Sequence, residues 1–240
     1  MPVLLLLLVS IALSIGMSII VLVVRRTRRI TPIPVPTVAA PCPFERSCVF
    51  RRPGCWIAVK GNNLAAVQSA LGLNNPKPCS WIQGFAGDEK LFIAPPVMGW
   101  ILVCGSGLPD PSEDVDACFR FVVDLSRKLG QVQFFSFSRV LQHHAWVKAD
   151  RGKVQRAYAW AGHTLWRQGR PTQAENELNL KCYDYAEPAD RESFAAPDPI
   201  ATNVDKVPLL AARWSLDPAR IDDRFLEALP GIAGEPSRRF

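Results

Sequence analysis

Two neighbouring histidines, His143 and His144, are the first place to look for chemistry, because imidazole is both a metal ligand and a proton shuttle near neutral pH. They open a run that reads as a β-strand, where neighbours point to opposite faces, so one site cannot use both. His163 could join His143 only if the chain after Trp160 folds back. The plainer reading is two polar strand residues bonded to backbone or water. It needs no matching acid or metal set, and the sequence supplies none.

Cysteine and serine offer a second chemistry. Cys104-Gly105-Ser106-Gly107 follows an apolar run and precedes a helical pattern, the position of a nucleophile turn. Such an elbow wants glycine two residues before its serine, and position 104 is cysteine. The glycines serve a tight turn equally well, and no GxGxxG or GxxxxGK loop exists to cradle phosphates. Glu113, Asp114 and Asp116 are accounted for by the positive end of a helix, and Asp217 by capping before Pro218. The seven cysteines, at 42, 48, 55, 79, 104, 118 and 182, form no CxxC pair, which makes a poor zinc signature. No catalytic, cofactor-binding or metal-binding residue is therefore assigned. A hydrolase using Cys104, Ser106 or a histidine stands as the alternative.

What survives is surface chemistry. Trp146, Arg156, Tyr158 and Trp160, with Trp166 and Arg167 close behind, concentrate aromatic and arginine side chains in one hairpin, the composition of protein-binding hot spots. Tryptophans also fill cores. The hairpin reads as His143–Ala149 and Val154–Ala161 about a tip at Arg151-Gly152. That register pairs His143 with Trp160, Ala145 with Tyr158, Val147 with Arg156 and Trp146 with Ala157, setting large side chains against small ones. One face would pack on the core and leave the other to a partner.

The elements that must carry these residues follow from periodicity. Trp56–Lys60 is a short apolar strand, and Leu64, Val67 and Leu71 mark a helix between Asn63 and Gly72. Asn74–Gly87 reads as a loop that tucks in Trp81 and Phe85. Leu91–Ala94 and Trp100–Cys104 form a hairpin. A helix follows with Val115, Cys118, Phe119, Val122, Leu125, Ser126 and Leu129 on one stripe, capped by Ser112 and stopped by Gly130. Val132–Phe137 is the next strand. Thr172 and Glu175 have capping-box spacing and open a helix reaching Cys182. Residues 183–206 are acidic and proline-bearing, a linker, and 207–240 resume as helices before fraying from Gly234. The order of elements in 55–182 predicts an α+β fold. It is the βαββαβ order of a ferredoxin-like sandwich, an antiparallel sheet with two helices on one face, extended by the hairpin and the C-terminal helices.

Ahead of this domain, Val3–Val24 is an uncharged apolar run long enough to span a bilayer once as a helix. Arg25, Arg26, Arg28 and Arg29 follow it directly, which by the positive-inside bias places the N-terminus outside and the domain in the cytoplasm. The same arginines suit anionic headgroups. Ser10, Ser14 and Ser18 recur every four residues and would let two such helices approach as a homodimer, although small residues are also common in solitary anchors. Residues 1–29 thus form the anchor, and the proline-rich 30–54 an extended spacer. The net charge of +6 gathers near the anchor, and no basic helix interleaved with aromatics follows, so nucleic acid is not an expected partner. The expectation is a membrane-anchored, non-catalytic protein-interaction or regulatory module.

Overall fold

Nine antiparallel strands form one sheet in the computed structural model, which describes residues 53–185 and 200–237. The strands are β1 (Cys55–Lys60), β2 (Leu73–Cys79), β3 (Leu91–Ile93), β4 (Trp100–Cys104), β5 (Val132–Ser138), β6 (His143–Asp150), β7 (Lys153–Trp160), β8 (Thr164–Gln168) and β9 (Gly231–Pro236). Their spatial order is β2-β9-β3-β4-β1-β5-β6-β7-β8. The α+β class expected from the sequence is the class observed.

Helices cover both faces. On one face α1 (Leu64–Leu71) and α3 (Val115–Leu129) bury Val67, Leu71, Cys118, Val122 and Leu125 against Ile57, Val59, Ile101, Val103 and Phe134. On the other, α2 (Trp81–Ala86), α4 (Gln173–Glu177), α5 (Asn203–Trp214) and α6 (Asp223–Ala228) lie with their connections over Trp56, Phe92, Leu102, Phe135, Trp146 and Tyr158. Because both sides are covered, β4 is buried at every position, as its unbroken WILVC run requires.

Several local expectations are corrected. The supposed loop 74–87 contains β2 and α2, the latter opened by a reciprocal capping box between Ser80 and Gln83. β2 tolerates Pro76 and Pro78 because it is an outer strand of the sheet, where a missing backbone donor breaks no ladder. Asp114, not Ser112, caps α3, accepting from the Ala117 amide at 2.8 Å; Ser112 instead donates to Asp110. Phe121 rather than Phe119 completes the buried stripe, and Phe119 lies half out against the Trp166 ring.

The C-terminal segment is built into the sandwich. α5 begins at Asn203, inside the expected linker, and packs on β5, where the buried Gln133 donates to the Trp214 carbonyl at 3.1 Å. The expected second helix is a 3-10 turn at Pro218–Arg220 followed by α6. Gly231–Pro236 pair as β9 between β2 and β3 instead of fraying from Gly234; residues 238–240 of that expected frayed end lie outside the described residues. A Cβ on Gly234 would stand 2.6 Å from the Asn74 carbonyl, so only glycine lets β9 pass so close to β2.

Among the described residues no helix is long and apolar enough to cross a membrane. The expected span Val3–Val24 with its serines, the flanking Arg25, Arg26, Arg28 and Arg29, and Cys42 and Cys48 lie outside them.

Candidate functional site

The expected register of the β6–β7 hairpin is off by one residue over most of its length, and the shift redistributes every predicted binding side chain. Ala149 faces Val154 as expected, but Lys148 then faces Arg156, so Gln155 is an extra residue on β7. Beyond this bulge Val147 pairs with Ala157, Trp146 with Tyr158 and His144 with Trp160. A slip of one residue moves a whole set of side chains to the other face. Large residues therefore meet large ones on one face, and Ala145, Val147, Ala149, Ala157 and Ala159 line the other beneath α3.

The large face is not free. Trp146, Arg156, Tyr158 and Trp160 are all buried, covered by the segment that runs through α4 to Tyr183 and by α5. As folded, the four side chains offer no docking surface. Two of them, Trp146 and Arg156, are joined by Glu175. Its Oε1 accepts from Arg156 Nε and from Trp146 Nε1, each at 2.8 Å, while its Oε2 accepts from the Thr172 amide at 2.7 Å and the Thr172 hydroxyl at 2.9 Å. Arg156 and Glu175 are each 1% exposed. The rest of the guanidinium reaches the carbonyls of Ala157, Gln168 and Gly169 at 3.0–3.3 Å and the Cys182 sulfur at 3.2 Å. The carboxylate thus accepts four hydrogen bonds and every guanidinium nitrogen has at least one partner, the condition for burying two charges. The sequence shows Glu175 only as the far end of a capping box. Nothing in its spacing from Arg156 announces the ion pair.

His144 is absorbed by the same face. Its ring stacks on Trp146 at 5.7 Å, and Asn203 Nδ2 lies 3.2 Å from its Nε2. The Asn203 amide is oriented by Lys181, whose N–H it accepts and whose carbonyl it donates to. Nε2 must therefore carry a lone pair, and the ring is neutral. Burial, reinforced by His143, pushes the His144 pKa down to about 3.

A cleft remains at the end of the sheet where β1 begins and β4 and β5 finish. The Gly105-Ser106-Gly107 turn runs between two cavities of about 730 and 370 Å³ that share Cys55, Ser106, Asp110 and Ser136. Lys90, Glu113, Asp114 and Glu235 line the larger; Cys104, Phe137, Leu141 and His143 line the smaller. Gly105 has φ +136°, and a Cβ there would meet the Lys90 carbonyl at 2.3 Å, so the turn needs glycine to seat on β3. The fold thus brings Cys104, Ser106 and His143 to one wall, and carries His144 away from it.

That wall is poorly equipped for nucleophilic chemistry. Cys104 is buried with its thiol 3.6 Å from the Gly84 carbonyl, and desolvation pushes its pKa up to about 12. Desolvation likewise holds Cys55 well above the usual thiol range, with Cys118, Asp110 and Cys104 adding to it and the Ser136 hydrogen bond opposing. Cys118 rises to about 12 and Cys182 to about 11, both through desolvation first, and Cys79 is raised for the same reason. A reactive cysteine needs the opposite shift. Ser106 is exposed, and among the described residues no hydrogen bond joins it, Cys55 or Cys104 to a histidine. Asp110 accepts from both the amide and the hydroxyl of Ser112, and Asp114 caps α3. Among the described residues no group of three or more histidine, cysteine or acidic side chains is placed to hold a metal. The five described cysteines are free thiols.

No family model, curated protein or solved structure matches this chain.

Two outcomes follow from this geometry. Glu175→Ala strands the Arg156 charge and the Trp146 indole in the core and will cost about 3–5 kcal/mol in urea unfolding. Arg156→Met with Glu175→Leu, which removes both charges, will cost less than the single change. A double variant less stable than Glu175→Ala would show that the pair itself, not the stranded charge, carries the stability. For His144, the unfolded chain takes up a proton below the ordinary histidine pKa near 6.5, whereas the folded chain refuses it until about 3. Stability falls as pH drops through that window, by up to about 1.4 kcal/mol per pH unit. His144→Gln will flatten that slope between pH 6 and pH 4; an unchanged slope would mean the ring titrates freely when folded.

Proposed function

We propose that this chain is a single-pass membrane protein, N-terminus outside, whose cytoplasmic domain is a non-catalytic protein-interaction or regulatory module. The observation that carries the second half is the state of the reactive groups. Each candidate thiol is raised away from its nucleophilic form, His144 is locked as a neutral acceptor, and the buried carboxylate is fully spent on Arg156 and its neighbours. The anchor rests on the Val3–Val24 run and its arginine flank. We read the core of the domain as a ferredoxin-like sandwich. The order β3-β4-β1-β5, all antiparallel, with α1 and α3 on one face, supports that reading, and β2, β9 and β6–β8 are its extensions.

The aromatic hairpin is withdrawn as the binding surface because it lies under α4 and α5. The competing reading, a membrane-tethered hydrolase, has one observation in its favour: Cys104, Ser106, Asp110 and His143 share a cavity. Active-site-directed reagents separate the two. In membranes carrying the full chain, a fluorophosphonate will leave Ser106 unlabelled. Iodoacetamide will alkylate Cys104 at least about 100-fold more slowly than after unfolding, since a thiol at about 12 holds far less thiolate than one near 8.5. Stoichiometric labelling of either residue in the folded chain would favour the hydrolase. Carbonate extraction tests the anchor: the full chain will stay with the membrane, and a chain lacking residues 1–29 will not.

A further inference from the structure

We infer that the β5–β6 turn, Arg139–Gln142, is a lipid-contacting tip that seats the domain on the bilayer to which its own anchor ties it. This rests on the anchored reading above.

The turn is apolar where turns are ordinarily polar. Val140 is 92% exposed and Leu141 61%, side by side at the end of the hairpin. Turns usually draw on glycine, asparagine and aspartate. Here Gln142 takes a left-handed conformation, φ +56°, without being glycine. The tip is nevertheless fixed: the Leu141 amide donates to the Ser138 hydroxyl at 3.2 Å, and the Gln142 side chain donates to the Arg139 carbonyl at 2.7 Å. A fixed apolar tip loses little freedom on insertion. Nor does it carry a bare charge to the bilayer, because Arg139 is paired with Asp205 at 2.7 Å and lies over the Phe137 ring.

The occupant is argued from where the anchor's chain joins the domain. Gly54, at the entry, accepts from the Phe137 amide at 2.7 Å, placing the chain from the membrane three residues from Val140 along β5 and its turn. Arg51 and Arg52 immediately precede that entry in sequence. Residues 30–52 reach no further than about 80 Å when fully extended. A tether of that kind holds the tip at an effective concentration of up to about millimolar at the lipid surface. Two apolar side chains are too few to bind a membrane from solution, but at such a concentration they suffice to orient a domain that is already held there.

The test places a benzophenone amino acid at Val140 or at Lys153 in the full chain, reconstituted in phosphatidylcholine–phosphatidylserine vesicles. Lys153 is exposed at the far end of the β6–β7 hairpin, about 25 Å from the tip along β6. On irradiation, position 140 will give lipid adducts at least tenfold over position 153, and in the unlabelled chain residues 138–142 will exchange amide hydrogens about tenfold more slowly in vesicles than in detergent. Val140→Asp with Leu141→Asp, both at exposed positions, will abolish that protection. Equal yields at 140 and 153, or adducts at 140 to a second copy of the chain, would overturn the inference and leave the anchor standing. A chain that does not co-float with vesicles would overturn both.

Discussion

One carboxylate holds the second layer of this fold in place. Glu175 closes the capping box of α4 with one oxygen and binds Arg156 and Trp146 with the other, so a short helix of five residues is fixed to β6 and β7 by charge rather than by area. Burying such a pair costs nearly as much in desolvation as it returns in attraction. Its contribution is therefore to geometry. With Glu175 placed, Thr172 also receives the Trp214 indole at 3.3 Å, Tyr183 sits against the Tyr158 hydroxyl, and Asn203 reaches His144. These contacts tie the cover to β6 and β7 through polar groups that a purely apolar layer would leave free to slide.

The same arrangement explains why the side chains with the most chemical promise do the least chemistry. Covering both faces of the sheet drives its thiols into surroundings that disfavour thiolates, and it converts a histidine into a hydrogen-bond acceptor. What remains open lies at the sheet's end and on its turns. There the backbone turn at Gly105 and the hairpin tip at Leu141 border one cavity with opposite characters, one small and polar, the other apolar.

Local rules recovered much of the architecture. The strands β1, β3, β4 and β5, both helices of the first face and the helix ends at Asn63, Gly72, Gly130, Thr172 and Asp217 were legible, because alternation, stripes and capping residues agree there. Elements made by tertiary pairing were not. β2 and β9, with the sequences LNNPKPC and GIAGEP, lack strand propensity and exist because each completes the other's ladder. The bulge at Gln155 has no sequence mark, yet it reverses which face of the hairpin holds Trp146 relative to Tyr158. The candidate binding surface was misplaced for that reason: composition located the cluster, but its exposure depended on a register and on a cover lying beyond the hairpin.

The place of β9 bears on how the chain is made. β3 leaves the ribosome at Ile93, but its neighbour on one side, Gly231–Pro236, emerges 138 positions later (231 minus 93). At typical rates of elongation that interval is about 7–30 seconds. Throughout it β3 has only β4 beside it, and β2 has no partner strand at all. For a nascent chain this is a period of unprotected strand edge, and Pro76, Lys77 and Pro78 make β2 a poor template for neighbouring chains until synthesis reaches its proper partner.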